Sequence, residues 1–236
     1  MNAKVTNIFK QLISSERFIH IKLLGDSITH GVGGTGFCQD GEHIVAEFAR
    51  NPNGYCWAKL LKEYLEEHYD CRVTNNACTG TRIEFIIEHF EELVDAEDDL
   101  VICMIGTNNR HRYYHEGPMR TPEEQSAIFY GNIKVLYHKF LAAGKQIIFM
   151  ANIPASIENE QDGADFKRLI HMSDINEMYE KAATECGFPF ISLYRRFSEY
   201  CEKNHVKLDS LLADGLHPND KGYDVMFELL MKEFWI

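Results

Sequence analysis

Four short stretches of this chain hold side chains whose types and spacing could do chemistry: GDSITHG from Gly25, NNACTGT from Asn75, GTNN from Gly106 and ADGLHPND from Ala213. A serine hydroxyl is a weak nucleophile until a base takes its proton, and an imidazole, with an unperturbed pKa of about 6.5, can do so near neutral pH. Ser27 is therefore the candidate nucleophile and His217 its base. The imidazole must be held in the tautomer that leaves one nitrogen free for the serine, which a carboxylate on the other nitrogen achieves. Asp214, three residues before His217 across a turn holding Gly215, can fold back to do this. The tetrahedral intermediate of acyl transfer needs donors aimed at its oxyanion. The backbone N–H groups of Ser27 and Gly80 and the side-chain amide of Asn108 are the candidates, Gly80 having no Cβ to block close approach. Such a set cleaves an ester with neither a cofactor nor a metal.

These groups can meet only if the elements around them bring them together. Strand-like and helix-like segments alternate along the chain. A strand over Phe18 to Leu24 precedes a long loop, Thr29 to Asn53, and a helix over Tyr55 to Tyr69 whose Trp57, Leu61, Tyr64, Leu65 and His68 recur at helical spacing. A strand over Arg72 to Asn75 and a helix over Arg82 to Ala96 come next, the latter with Ile83, Ile86, Ile87, Phe90, Leu93 and Val94 on one face. LVICMIG, Leu100 to Gly106, is apolar at almost every position, as a central parallel strand covered on both faces must be. A second loop, Arg110 to Arg120, leads to a cap, a proline and a capping-box acid at Thr121, Pro122 and Glu124. The helix they start runs to about Ala143, before Gly144. A strand over Gln146 to Ala151, a helix over Ser173 to Cys186, a strand over Pro189 to Tyr194 and a helix from beyond Pro218 to Trp235 complete the series.

The pattern predicts an α/β fold over residues 1–236 as one domain: a three-layer α/β/α sandwich with a five-stranded parallel sheet in flavodoxin-like order. In such sheets ligands bind outside the carboxyl ends of the strands, where the four polar stretches fall.

In order and register, the four stretches resemble the blocks of the SGNH (GDSL-type) hydrolase family, named for a Ser, a Gly, an Asn and a His. The resemblance spans residues 25 to 222, nearly the whole chain. It implies a triad of Ser27, His217 and Asp214, an oxyanion hole of Ser27, Gly80 and Asn108, and Asp26 as the residue that holds the serine loop. One departure is Asn109, where the family often has Asp; that position supports the loop more than the chemistry. Many SGNH members resembling this chain remove acetyl groups from carbohydrates.

Other patterns carry less. GVGGTG, Gly31 to Gly36, satisfies a dinucleotide fingerprint, but its glycines begin several residues after the strand, no helix opens at Gly36, and the second strand ends in Asn75 and Asn76 rather than an acid. His111 and His115 are spaced for metal ligation, yet HRYYHEGP offers no third ligand and ends in Gly-Pro. A net charge of -12 disfavours nucleic acid and anionic membrane as partners. Seven cysteines without a CxxC pair read as reduced thiols, with Cys78 placed near the site, where it could react. With no leader-like apolar segment near Met1 and no run of eighteen apolar residues, a cytoplasmic protein is expected.

The loops after the strands are rich in polar and aromatic groups: His30, Gln39, Asp40, Glu42 and His43 in one, and Arg110, His111, Arg112, Tyr113, Tyr114 and His115 in the other. Such groups suit a sugar ring and offer no channel for a long acyl chain, although they would equally serve polar surface or a homo-oligomer contact. The expected partner is a small-molecule or carbohydrate ester. A lysophospholipase or thioesterase, or a carbohydrate-binding protein without turnover, is the alternative.

Overall fold

The computed structural model describes residues 3–37, 54–111, 120–161 and 168–235. Strands β1 (Ile19–Gly25), β2 (Cys71–Asn75), β3 (Leu100–Met104), β4 (Gln146–Ala151) and β5 (Phe190–Ser192) form a parallel sheet in the order β2-β1-β3-β4-β5. The helices are α1 (Ala3–Ile13), α2 (Ser27–His30), α3 (Trp57–His68), α4 (Ile83–Glu88), α5 (Phe90–Leu93), α6 (Pro122–Ala142), α7 (Ile157–Glu160), α8 (Met172–Cys186), α9 (Leu193–Asn204) and α10 (Asp220–Trp235). This is the expected flavodoxin-like order, and it reverses between β1 and β3, leaving a crevice at their carboxyl ends.

Two cores follow from the period-two alternation of a strand. Leu100, Ile102 and Met104 of β3 join a core closed by α1, α3, α9 and α10, while Val101 and Cys103 join one closed by α4, α5, α6 and α8. All five β3 side chains are buried, and each large apolar side chain so placed contributes roughly 1.5–3 kcal/mol. Helix α6 starts as its sequence requires: the Thr121 hydroxyl accepts from the Glu124 N–H at 3.2 Å, and the Glu124 carboxylate accepts from the Thr121 N–H at 2.8 Å. Among the described residues no helix is long and apolar enough to cross a membrane.

Three expectations need correction. The helix over Arg82 to Ala96 is two helices, α4 and α5, divided at His89 (φ -102°, ψ 26°), and it ends at Leu93, whose carbonyl accepts from the Asn76 amide at 3.2 Å. The strand over Pro189 to Tyr194 stops at Ser192, because the Ser192 hydroxyl accepts from the Arg195 N–H at 3.2 Å and so starts α9 at Leu193. Helix α1, unanticipated, docks on α10 through stacked Phe9 and Phe234 rings 4.4 Å apart and a 2.8 Å bond from the Thr6 hydroxyl to the Glu233 carbonyl.

Candidate active site

Ser27 opens a single helical turn directly after β1. Gly25 permits the entry: a Cβ there would lie 2.3 Å from the Thr29 hydroxyl and 2.6 Å from the Met104 carbonyl. Asp26 then caps α2, its carboxylate accepting from the Ile28 N–H at 3.1 Å. The turn ends at Gly31, at φ +111°, where a side chain would be strained.

His217 is delivered by the turn before α10. One oxygen of Asp214 accepts from the N–H groups of Leu216 and His217 at 3.0 and 2.8 Å, folding the turn, and the other meets His217 Nδ1 at 2.7 Å. A carboxylate can only accept, so Nδ1 carries the proton. Nε2 is left to accept from the Ser27 hydroxyl, 2.9 Å away. Burial works against an ionised Asp214, but the His217 N–H, its imidazole and its charge, with the Leu216 N–H, outweigh it and hold the carboxyl below its usual value.

One glycine of GVGGTG, Gly33, packs against this turn. A Cβ on Gly33, at φ +93°, would stand 2.4 Å from the Pro218 carbonyl and 3.1 Å from the His217 Cβ. The loop therefore lies directly against the backbone that carries the imidazole, and the Tyr223 hydroxyl fastens it by donating to the Val32 carbonyl at 2.6 Å.

Behind Ser27, Asp26 is fully buried, and its second oxygen accepts from the Asn152 amide at 3.0 Å. The same amide meets the Thr107 hydroxyl. Desolvation pushes the Asp26 carboxyl up; hydrogen bonds from Ile28, Thr107 and Asn152 and the charge on His217 partly oppose this. The network joins the carboxyl ends of β1, β3 and β4. Asn152, which sequence reasoning missed, announces itself as the first polar residue after the apolar run of β4.

Gly80 sits at φ +82° with open space where a Cβ would be. Its turn is held to the serine loop by three contacts: Cys78 N–H to the Gly25 carbonyl at 3.1 Å, the Asn75 amide to the Thr29 carbonyl at 2.9 Å, and His30 Nδ1 to the Thr79 hydroxyl at 3.1 Å. Asn108, in a 3₁₀ turn over Thr107–Arg110, donates to the Thr81 carbonyl at 2.9 Å. An amide has two N–H groups, so a second donor remains for a ligand.

Asn109, the departure from the family pattern, donates to the Glu84 carboxylate at 2.7 Å and accepts from the Ile83 N–H at 3.1 Å. The carboxylate is thus supplied by Glu84, and Asn109 is buried against it. Asn109→Asp should destabilise the protein by about 1–3 kcal/mol at pH 7, since a donor becomes a second carboxylate. Such an Asp would have a raised folded-state pKa, so the deficit should shrink as pH falls toward 5. Urea unfolding at both pH values reads this; equal stability of variant and parent at pH 7 would refute the pairing.

Of the loop groups expected to face a substrate, the three that are described turn inward. His30 is buried against Thr79, and Arg110 is buried in an ion pair with Glu160 at 3.0 Å. His111 is also buried; desolvation, then Arg110 and Arg168, bring its pKa down to about 4. A neutral ring beside two guanidinium groups is a poor place for a metal cation. Gln39, Asp40, Glu42, His43, Arg112, Tyr113, Tyr114 and His115 lie outside the described residues. Cys78 is buried, and desolvation raises its pKa to about 11, which keeps it a thiol and corrects the expectation of reactivity.

The model of the GDSL-like Lipase/Acylhydrolase family matches residues 23–225. The fold is shared with the acetylxylan esterase Axe2 of Geobacillus stearothermophilus at a TM-score of 0.66 and 21% identity, covering 94% of this chain and 95% of that one. It is also shared with a lipase/acylhydrolase of Enterococcus faecalis at a TM-score of 0.64 and 19% identity, covering 91% and 94% respectively. No curated protein sequence matches the chain.

Proposed function

The chain belongs to the GDSL-like lipase/acylhydrolase family and is a carboxylic ester hydrolase, and from that premise we propose a serine esterase that removes small acyl groups, acetyl foremost, from carbohydrate. The observation that carries the mechanism is the continuous relay from Asp214 through His217 to Ser27, with spacings of 2.7 and 2.9 Å. Ser27 Oγ attacks the acyl carbon and its proton passes to His217 Nε2. The oxyanion is met by the N–H groups of Ser27 and Gly80 and the free N–H of Asn108. His217 then gives its proton to the departing alcohol oxygen, leaving the acyl group on Ser27. Water repeats the sequence with its proton going to His217, the acid is released, and Ser27 recovers its hydrogen.

Two facts support a small acyl group. Among the described residues, the polar groups at the strand ends around Ser27 are Asp26, Thr79, Asn108 and His217, with Gly80, and the apolar side chains of Leu24, Ile28 and Met104 are committed to the cores. A channel for a long chain would gain about 0.8 kcal/mol per buried CH₂, roughly four-fold in kcat/KM. The expected profile over p-nitrophenyl esters therefore peaks at acetate and falls steeply beyond about four carbons, with acetate released from acetylated sugars. A maximum at eight or more carbons without release from the sugars would favour a lipase or thioesterase instead. The similarity to an acetylxylan esterase supports the carbohydrate half of the reading.

A further inference from the structure

We propose that Asn152 is a positioning residue for the ester hydrolysis: its amide ties the turn that carries Asn108 to the loop that carries Ser27, and so sets the spacing between the nucleophile and its side-chain oxyanion donor. The inference rests on the serine esterase reading and on the oxyanion role given there to Asn108.

The two groups come from different strands. Ser27 follows β1 and Asn108 follows β3, neighbours in the sheet. Strand pairing fixes the two backbones as far as Gly25 and Met104, which are partners in register. Beyond that point the ladder ends, and side chains must hold an attacking oxygen and an oxyanion donor to within about 0.5 Å of their working places.

Asn152 supplies that hold from a third strand end. It is the first residue after β4, it is buried, and its NH₂ group carries two N–H donors. The amide donates to Asp26 Oδ2 at 3.0 Å and meets Thr107 Oγ1. Asp26 immediately precedes Ser27, and Thr107 immediately precedes Asn108. The Thr107 hydroxyl also bonds to the Asp26 carboxylate, which closes a triangle of fully buried side chains. Turning the Asn152 amide round would set its oxygen against a carboxylate oxygen, so the donors are what face Asp26 and Thr107.

The remaining anchors of each turn run elsewhere. The serine loop is held by the Cys78 N–H on the Gly25 carbonyl at 3.1 Å and by the Asn75 amide on the Thr29 carbonyl at 2.9 Å. The Asn108 turn is held by its own amide on the Thr81 carbonyl at 2.9 Å, and by the Gln125 amide of α6 on the Asn109 carbonyl at 2.7 Å. These routes join the two turns through the backbone of residues 75–81. The bonds from Asp26 through Asn152 to Thr107 join them directly. Loss of that tie leaves the Asp214, His217 and Ser27 contacts in place and frees Asn108 to draw back from the oxyanion, a loss felt in the transition state more than in ground-state binding.

The test is a pair of double-mutant cycles on p-nitrophenyl acetate. Asn152→Ala removes the tie, but it also strips a donor from the buried Asp26 carboxylate. Thr107→Val therefore serves as the second variant, since it keeps the side-chain shape and the bond from Asn152 to Asp26. Rates are taken per active site, counted by fluorophosphonate labelling to completion, so that unfolded protein does not enter. Each single variant should lower kcat about 10- to 30-fold with KM within about two-fold of the parent, a part of the roughly 10²- to 10³-fold expected for Asn108→Ala. Added to Asn108→Ala, either change should cost less than about three-fold, because the group it positions is already gone. A side chain that merely supports the fold would cost the same factor in both backgrounds. Losses that multiply, or single losses below about three-fold, overturn the inference and leave the esterase reading standing. An undiminished kcat in Asn108→Ala alone would remove the oxyanion role itself, and this inference with it.

Discussion

Ser27→Ala should lower kcat for p-nitrophenyl acetate by about 10⁴- to 10⁶-fold while the protein stays folded. In the proposed mechanism the hydroxyl supplies the atom that bonds to the acyl carbon, and neither nucleophilic neighbour among the described residues can replace it. Thr29 is buried on the far side of the turn against Gly25, and Cys78 is a buried thiol with its pKa raised to about 11. What remains is the contribution of the oxyanion donors and of binding, worth about a thousand-fold over water in enzymes of this design, which sets the floor. The structural cost is small: the Ser27 hydroxyl bonds to His217 Nε2, and the imidazole side chain is 16% exposed, so water can satisfy the nitrogen left behind. Loss of turnover should therefore come with a thermal midpoint within a few degrees of the parent. A fluorophosphonate probe should label the parent and leave Ser27→Ala unmodified. Labelling of the variant, or turnover within a hundred-fold of the parent, would place the nucleophile elsewhere.

The contrast between what could and could not be read in advance is physical. LVICMIG betrayed a strand buried on both faces because burial leaves no room for polar residues, and Thr121, Pro122 and Glu124 betrayed a helix start because backbone N–H groups need partners nearby in sequence. That Ser27, Asp214 and His217 meet was legible for a similar reason: each stretch is short, and its order along a parallel sheet predicts where it ends. Helix α1 was legible in principle, since Val5, Phe9 and Leu12 recur at helical spacing, but that segment was read only for a leader. Arg110 was not legible. A charged residue in a loop reads as surface until its partner Glu160 is seen, fifty residues away, and only the folded chain brings the two together. Asn109 shows the same limit, for its carboxylate partner lies 25 residues earlier at Glu84. Ser192 misled because one residue both ends a strand and caps a helix.

Asp214→Asn should reduce kcat by about 10³-fold with little change in KM and without loss of fold. The reason lies in how Asp214 divides its oxygens: one accepts two backbone N–H groups of its own turn, and the other accepts Nδ1–H of His217. Asparagine has a single carbonyl oxygen, and the two backbone donors will keep it. Its NH₂ group then faces Nδ1, which must become the acceptor, so the ring proton moves to Nε2, the nitrogen that has to accept from Ser27. The variant thus preserves the turn and inverts the tautomer. An inverted tautomer beside a buried aspartate costs about 10⁴-fold; here the carboxylate is 55% exposed, and solvent screening moderates the loss. The pH dependence follows in sign. In the parent the Asp214 carboxyl is held low, so its support of the imidazolium is present at neutral pH and lost only as pH falls through that depressed value. Asp214→Ala separates the two duties of this side chain: it should lose activity as well, but also stability, because the Leu216 and His217 N–H groups lose their acceptor. The measurements are kcat and KM across pH together with urea unfolding of all three proteins. An asparagine variant with kcat within ten-fold of the parent would reduce Asp214 to a turn-forming residue and leave His217 to act without a carboxylate.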